Sequence, residues 1–91
     1  MGLFFEWDTN KAKTNVLKHS ISFEEAATVF RDRNSITIDD VAHSLKEKRE
    51  VTMGKSANDQ LLVVVHTKRG KHLRIISARK ASGKERKQYE E

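Results

Sequence analysis

The chain is expected to fold as a single α+β domain over residues 1–91, a mostly antiparallel sheet with two N-terminal helices packed on one face and a short C-terminal helix. Three observations predict this. Helical signals occupy residues 8–30; apolar runs of strand character follow at 36–38, 51–53, 61–65 and 73–76; and Ser82 with Glu85 repeats a helix-start signal ahead of a polar tail. The resulting order of strand, two helices, four strands and helix suits helices laid on an antiparallel sheet. At 91 residues, one core suffices.

Phe4, Phe5 and Trp7 form a short β-prone segment that stops at Asp8, a good N-cap for a helix running through Leu17 or Lys18. Ala12, Val16 and Thr9 are expected on the buried side of that helix. His19 to Ile21 then make a tight corner. Ser22 and Glu25 have capping-box spacing, and Phe23, Ala26, Ala27 and Phe30 share one face of the helix that follows. Beyond Asp32 the period becomes alternating. Ile36 and Ile38, and then Val51 and Met53, read as half-buried strands separated by a polar loop from Asp39 to Lys48. After a turn over Lys55 to Asp59, Leu61 to Val65 is apolar on both parities, as suits a central strand covered on both faces. Gly70 supplies the next turn, and Leu73, Ile75 and Ile76 mark the returning strand of a hairpin. In the last helix Tyr89 is the only sizeable apolar side chain, so that helix should dock weakly.

Composition excludes several functions. The chain has no cysteine, hence no disulfide framework, thiol nucleophile or thiolate zinc site. His19, His43, His66 and His72 lack H-x-x-x-H spacing, the acids form no cluster, and glycine-rich phosphate loops are missing; neither a metal nor a nucleotide cofactor is expected. No apolar run approaches the roughly 20 residues needed to cross a bilayer. Glu6 and Asp8 stand where a signal peptide would place lysines, so a cytoplasmic location is expected. The net charge of +5 is local: residues 1–66 carry nine Lys/Arg against ten Asp/Glu, whereas residues 67–91 carry nine against three. That concentration points to a polyanion or an acidic partner.

The strings F-E-W-D at Phe5 to Asp8, K-A-x-x-N-x-x-K-H from Lys11, S-F-E-E-A from Ser22, R-I-I-S-A-R-K-A from Arg74 and R-x-x-Y-E from Arg86 together resemble the BrnT family of toxins. The resemblance implies a ribonuclease with a fold similar to RelE, belonging to a type II toxin-antitoxin module. It also implies neutralisation by a BrnA-like antitoxin, through which alone DNA would be met. Departures from the family pattern are Thr9 for a frequent Pro, Ser20 for a frequent Gly, His72 for a frequent Arg, and Lys68 where other members carry Glu. The last removes a carboxylate from the hairpin, so no essential base is assigned there.

RNA cleavage without a metal requires a group to take the 2′-hydroxyl proton, another to protonate the leaving 5′-oxygen, and cations to hold the phosphorane charge. Arginine suits the last task, since it donates paired hydrogen bonds to phosphate and stays charged. Arg79 leads the candidates because it lies in the matching motif just before the polar helix; its structural alternative is a salt bridge to Glu85 or Glu90. Arg74 and Arg49, placed within strands, are either paired or turned into a cleft. For proton transfer the candidates are His66, Glu47, Lys80 and Tyr89, with half-burial of His66 and simple anchoring by Tyr89 as the structural alternatives. Lys68, Arg69, Lys71, Lys84, Arg86 and Lys87 are expected to bind RNA electrostatically. A non-catalytic RNA- or ribosome-binding module using the same basic surface is the alternative function. A DNA-binding antitoxin fits less well, because no helix-turn-helix signal is present.

Overall fold

A computed structural model describes residues 4–43 and 47–91. Five strands form one sheet in the order β1-β5-β4-β3-β2, where β1 is Phe4–Trp7, β2 Ile36–Asp39, β3 Arg49–Lys55, β4 Leu61–Arg69 and β5 His72–Lys80. β1 runs parallel to β5 and every other pair is antiparallel. Helices α1 (Thr9–His19) and α2 (Phe23–Thr28), the latter prolonged by a 3-10 turn at Val29–Arg31, pack on one face of the sheet. The third helix, α3 (Gly83–Glu90), rests on the other face. The α+β class and the element order are those expected from the sequence.

β4 is central because it is apolar on both sides. Leu62 and Val64 join Ile75 and Ala78 of β5 against Ile21, Phe23, Ala26 and Val29. Leu61 and Val63 turn the other way and meet Met53, Ala81 and Tyr89. Burying each such large side chain contributes about 1.5–3 kcal/mol, so the α1/α2 side carries most of the core. The helix starts form as their sequences direct: the Asp8 carboxylate accepts the Lys11 N–H at 3.0 Å, and the Ser22 hydroxyl accepts that of Glu25 at 3.0 Å. Gly70 takes φ 59° in the β4–β5 turn.

Two expectations fail, each for a reason of position. Val16 and Thr9 do not line the buried side of α1; Val16 is 46% exposed, and the buried residue is Asn15. β1 ends opposite Ile75, so the outer edge of β5 beyond it lacks a strand neighbour. Asn15 supplies one. Its Nδ2 donates to the Ala78 carbonyl at 2.8 Å and to the Ile21 carbonyl at 2.9 Å, while its Oδ1 accepts the Ala78 N–H at 3.1 Å. The second failure is β2, an edge strand beyond the reach of α3: Ile36 and Ile38 are 39% and 62% exposed instead of half-buried. In the expected loop between β2 and β3, Val41–His43 form a 3-10 turn, and residues 44–46 lie outside the described residues.

Gly54 is required where β3 passes under the 3-10 turn, since a Cβ there would stand 3.0 Å from both Val29 Cγ1 and Ser35 Cβ. Removing the Asn15 amide should cost more. Asn15→Ala leaves the buried polar groups of Ala78 without partners, and a loss of about 3 kcal/mol is expected. Thermal unfolding should then begin roughly 12–24 °C lower. A melting curve like that of the wild type would show that water replaces the amide at no cost.

Candidate RNA-binding face

The face of the sheet that α3 covers only in part gathers arginines from two strands. A β-bulge decides this. Val65 pairs with Ser77 but His66 pairs with Ile75, so Ile76 is an extra residue in β5. In an unbroken strand Arg74 and Arg79, five residues apart, would point to opposite faces. The bulge brings both to the α3 side, where Arg74 is opposite Thr67 and Arg79 is opposite Val63. Arg49, the cross-strand partner of Thr67 from β3, lies on the same face.

The three arginines do not converge on one phosphate. Arg49, Thr67, Arg74 and Glu6 form one row across the sheet at its hairpin end. Arg79 stands four residues along β4 from that row, about 13 Å away. At the hairpin end Arg74 donates to Glu6 at 2.8 Å, His72 Nδ1 lies 4.0 Å from the same carboxylate, and Arg69 lies 3.5 Å from Glu47. Arg74 and His72 thus share the Glu6 carboxylate, while Arg69 holds Glu47. His72 is the functional candidate that the sequence reading passed over. Its signal was available: it is opposite Phe4 in the parallel register that places Glu6 beside Arg74, but only that pairing brings it to the carboxylate.

At the other end α3 governs the chemistry. The Arg79 guanidinium donates to both Glu85 carboxylate oxygens at 2.8 Å, and Glu85 also accepts the Ser82 N–H at 2.8 Å, closing the capping box. The Arg79 bonds, followed by the Ser82 N–H, hold the Glu85 carboxyl down at about 2. The same partnership raises Arg79. Tyr89 donates its hydroxyl to Asp32, which pushes the phenol up to about 12. Burial draws the Asp32 carboxyl upward, but the bonds it accepts from the Lys55 N–H, Tyr89 and the Asn34 N–H prevail and leave it lowered. Between α3 and the edge strand lies an apolar groove of about 410 Å³, floored by Ile36, Ile38, Val51, Met53 and Val63 and walled by Glu85 and Gln88.

Several predicted residues lie elsewhere. His66 is a correction: it projects toward α2, is 2% exposed, stacks edge-on against Phe30 at 4.9 Å and bonds Thr52 through Nε2 at 2.7 Å. Burial lowers its pKa, outweighing Glu50, so it is held neutral inside the core and away from the arginines. Lys80, next to Arg79 in the strand, points to the opposite side, as does Lys68 of β4. Arg69 shares the arginine face, Lys71 occupies the exposed turn, and Lys84, Arg86 and Lys87 are exposed on α3. Among the described residues no three His, Asp or Glu side chains gather as metal ligands, and no helix is long and apolar enough to cross a membrane.

Fold and face together define a class: a small α+β protein that presents a sheet face of paired arginines suited to phosphate. The chain belongs to the BrnT family, the ribonuclease toxins of type II toxin-antitoxin systems, whose model matches residues 7–85. Its fold is similar to that of the Brucella abortus ribonuclease toxin BrnT in a crystal structure, with a TM-score of 0.68 and 23% identity over 89% of this chain and 99% of that one. No curated protein matches the chain. Membership of a type II family implies an antitoxin partner.

The anchoring of α3 should depend on pH in a defined sense. Glu85 is lowered on folding from 4.5 to about 2, so its contribution is fully present above about pH 4.5 and is lost as pH falls toward 2. Tyr89 is raised from 10.0 to about 12, so its contribution is present below pH 10 and is lost as pH rises through 12. Amide exchange followed by NMR should find α3 equally protected at pH 5 and pH 9 and selectively released below pH 4.5. Uniform protection down to pH 2 would exclude the Glu85 contact as an anchor.

Proposed function

We propose that the chain is an endoribonuclease toxin that cleaves RNA without a metal, using the hairpin end of the arginine face. The observation that carries this reading is the row of Arg49 and Arg74 across Thr67, with His72 and Glu6 at its side. In the reaction the 2′-oxygen forms a bond to the adjacent phosphorus while the bond to the 5′-oxygen breaks, leaving a 2′,3′-cyclic phosphate and a 5′-hydroxyl. Arg49 and Arg74 hold the phosphate and the charge that develops on it. Arg74 is partly neutralised by Glu6, and the phosphate completes its coordination. His72 stands beside that row, where Glu6 can orient its ring to carry the 2′-hydroxyl proton to the leaving 5′-oxygen. Glu47, held by Arg69, is the second carboxylate within the cluster. The basic side chains of the β4–β5 turn and α3 supply sequence-independent attraction for RNA.

The purified chain should cut RNA in the presence of EDTA, and Arg74→Ala or Arg49→Ala should each slow cutting by at least about 100-fold while the fold persists. His72→Gln should slow cutting by about 100-fold, as loss of a proton carrier does. RNA that is bound in a salt-dependent way but left intact would establish the alternative, a non-catalytic RNA- or ribosome-binding module.

A BrnA-like antitoxin completes the reading. Exposed aliphatic side chains on an edge strand beside a basic surface suit an amphipathic, acidic segment, which would cover the groove at Ile36 and Ile38 and block RNA by charge and bulk. Ile38→Lys should weaken binding of the coexpressed antitoxin by about tenfold or more while sparing cleavage. An unchanged affinity would place the antitoxin elsewhere.

A further inference from the structure

The geometry points to a second phosphate subsite at Arg79, which α3 occupies with the Glu85 carboxylate until a strand of RNA displaces it. This rests on the ribonuclease reading for the identity of the ligand.

A guanidinium receives a carboxylate and a phosphate through the same pair of parallel N–H donors. In the free protein Glu85 holds that pair, with one bond of 2.8 Å to each carboxylate oxygen. Glu85 is therefore in the place of a phosphate, and RNA and Glu85 compete for one arginine. The competitor sits on an element that can leave. No residue of α3 is buried, and beside Glu85 it meets the body through Tyr89, whose hydroxyl donates to Asp32 and whose ring packs on Met53, Leu61 and Val63. It is also a presented carboxylate, since the Ser82 capping box fixes Glu85 at the first turn, facing β5.

Position separates this subsite from the hairpin-end cluster. About 13 Å lies between the rows of Arg74 and Arg79, more than a single phosphate can bridge. A dinucleotide placed on Arg49 and Arg74 leaves Arg79 with Glu85, whereas a longer strand reaches both. Glu85 thus makes the protein discriminate by length: short products are held at one end only, and a long strand is held at both once it pays for the release of α3.

The test is binding of 2′-O-methyl RNA, which cannot be cleaved through the 2′-oxygen, as a dinucleotide and as an octanucleotide. The proteins are the wild type, Glu85→Gln, Glu90→Gln and Arg79→Ala/Glu85→Gln. Glutamine keeps the capping box, because its side-chain oxygen still accepts the Ser82 N–H, but gives up the ionic hold on Arg79. Glu90→Gln makes the same charge change on the same helix and serves as the control. Glu85→Gln should tighten octanucleotide binding by about tenfold, as removal of a competitor that closes the site nine-tenths of the time requires, and should leave dinucleotide binding unchanged. The gain should vanish with Arg79 replaced. An equal gain from Glu90→Gln, or weaker octanucleotide binding by Glu85→Gln, would overturn the subsite. Unmodified octanucleotide incubated in parallel reads cleavage separately, so an intact substrate would count against the ribonuclease reading while the binding series still decides the role of Glu85.

Discussion

The Asn15 side chain bonds both backbone polar groups of Ala78 and the carbonyl of Ile21, and much of the molecule is arranged around that amide. β1 is too short to cover the edge of β5, and a buried strand edge with open N–H and C=O groups is costly. By standing in for the missing strand, Asn15 ties α1 to the corner before α2 and to the sheet at once. Ala78 is the residue before Arg79. The amide therefore also fixes the stretch of β5 between the bulge and the arginine, so that one of the two ends of the functional face is held by the core on its reverse side.

The two faces of the sheet divide the labour. The α1/α2 side takes the large apolar side chains and the neutral His66, and is closed to solvent. The α3 side is left half open, and its cover is a helix without a buried residue, held by polar contacts at Glu85 and Tyr89 and by the Tyr89 ring on the small second cluster. Polar contacts exchange for others of like chemistry at small net cost, whereas buried apolar area does not. The arginine face can be uncovered on one side of this sheet without disturbing the core on the other.

The element order was legible because it rests on local signals: Asp8, Ser22 and Ser82 cap helices through their own following turns, and Leu61 to Val65 is apolar at both parities wherever the strand is placed. The failures were of tertiary origin. Val16 has helical periodicity with Ala12, yet the helix turns Asn15 inward because a strand edge needs an amide. Ile36 and Ile38 alternate as a half-buried strand does, but burial depends on what lies opposite, and α3 stops short of them. His66 ends the apolar run, and nothing in its neighbours shows that Phe30 and Thr52 enclose it.

By itself the sequence determined the fold class, the order of elements and the family, because capping, turn and apolar patterns act over a few residues and the family strings are ordered along the chain. It also placed the excess positive charge in the last third. Which of those charges share a surface was decided by tertiary structure alone. One extra residue at Ile76 rotates the parity of β5, bringing Arg74 and Arg79 to one face, and parallel pairing with β1 sets Glu6 beside Arg74 and His72. A strand's alternation is local, but a bulge and a register are properties of the pair, and they exist only once two strands have met.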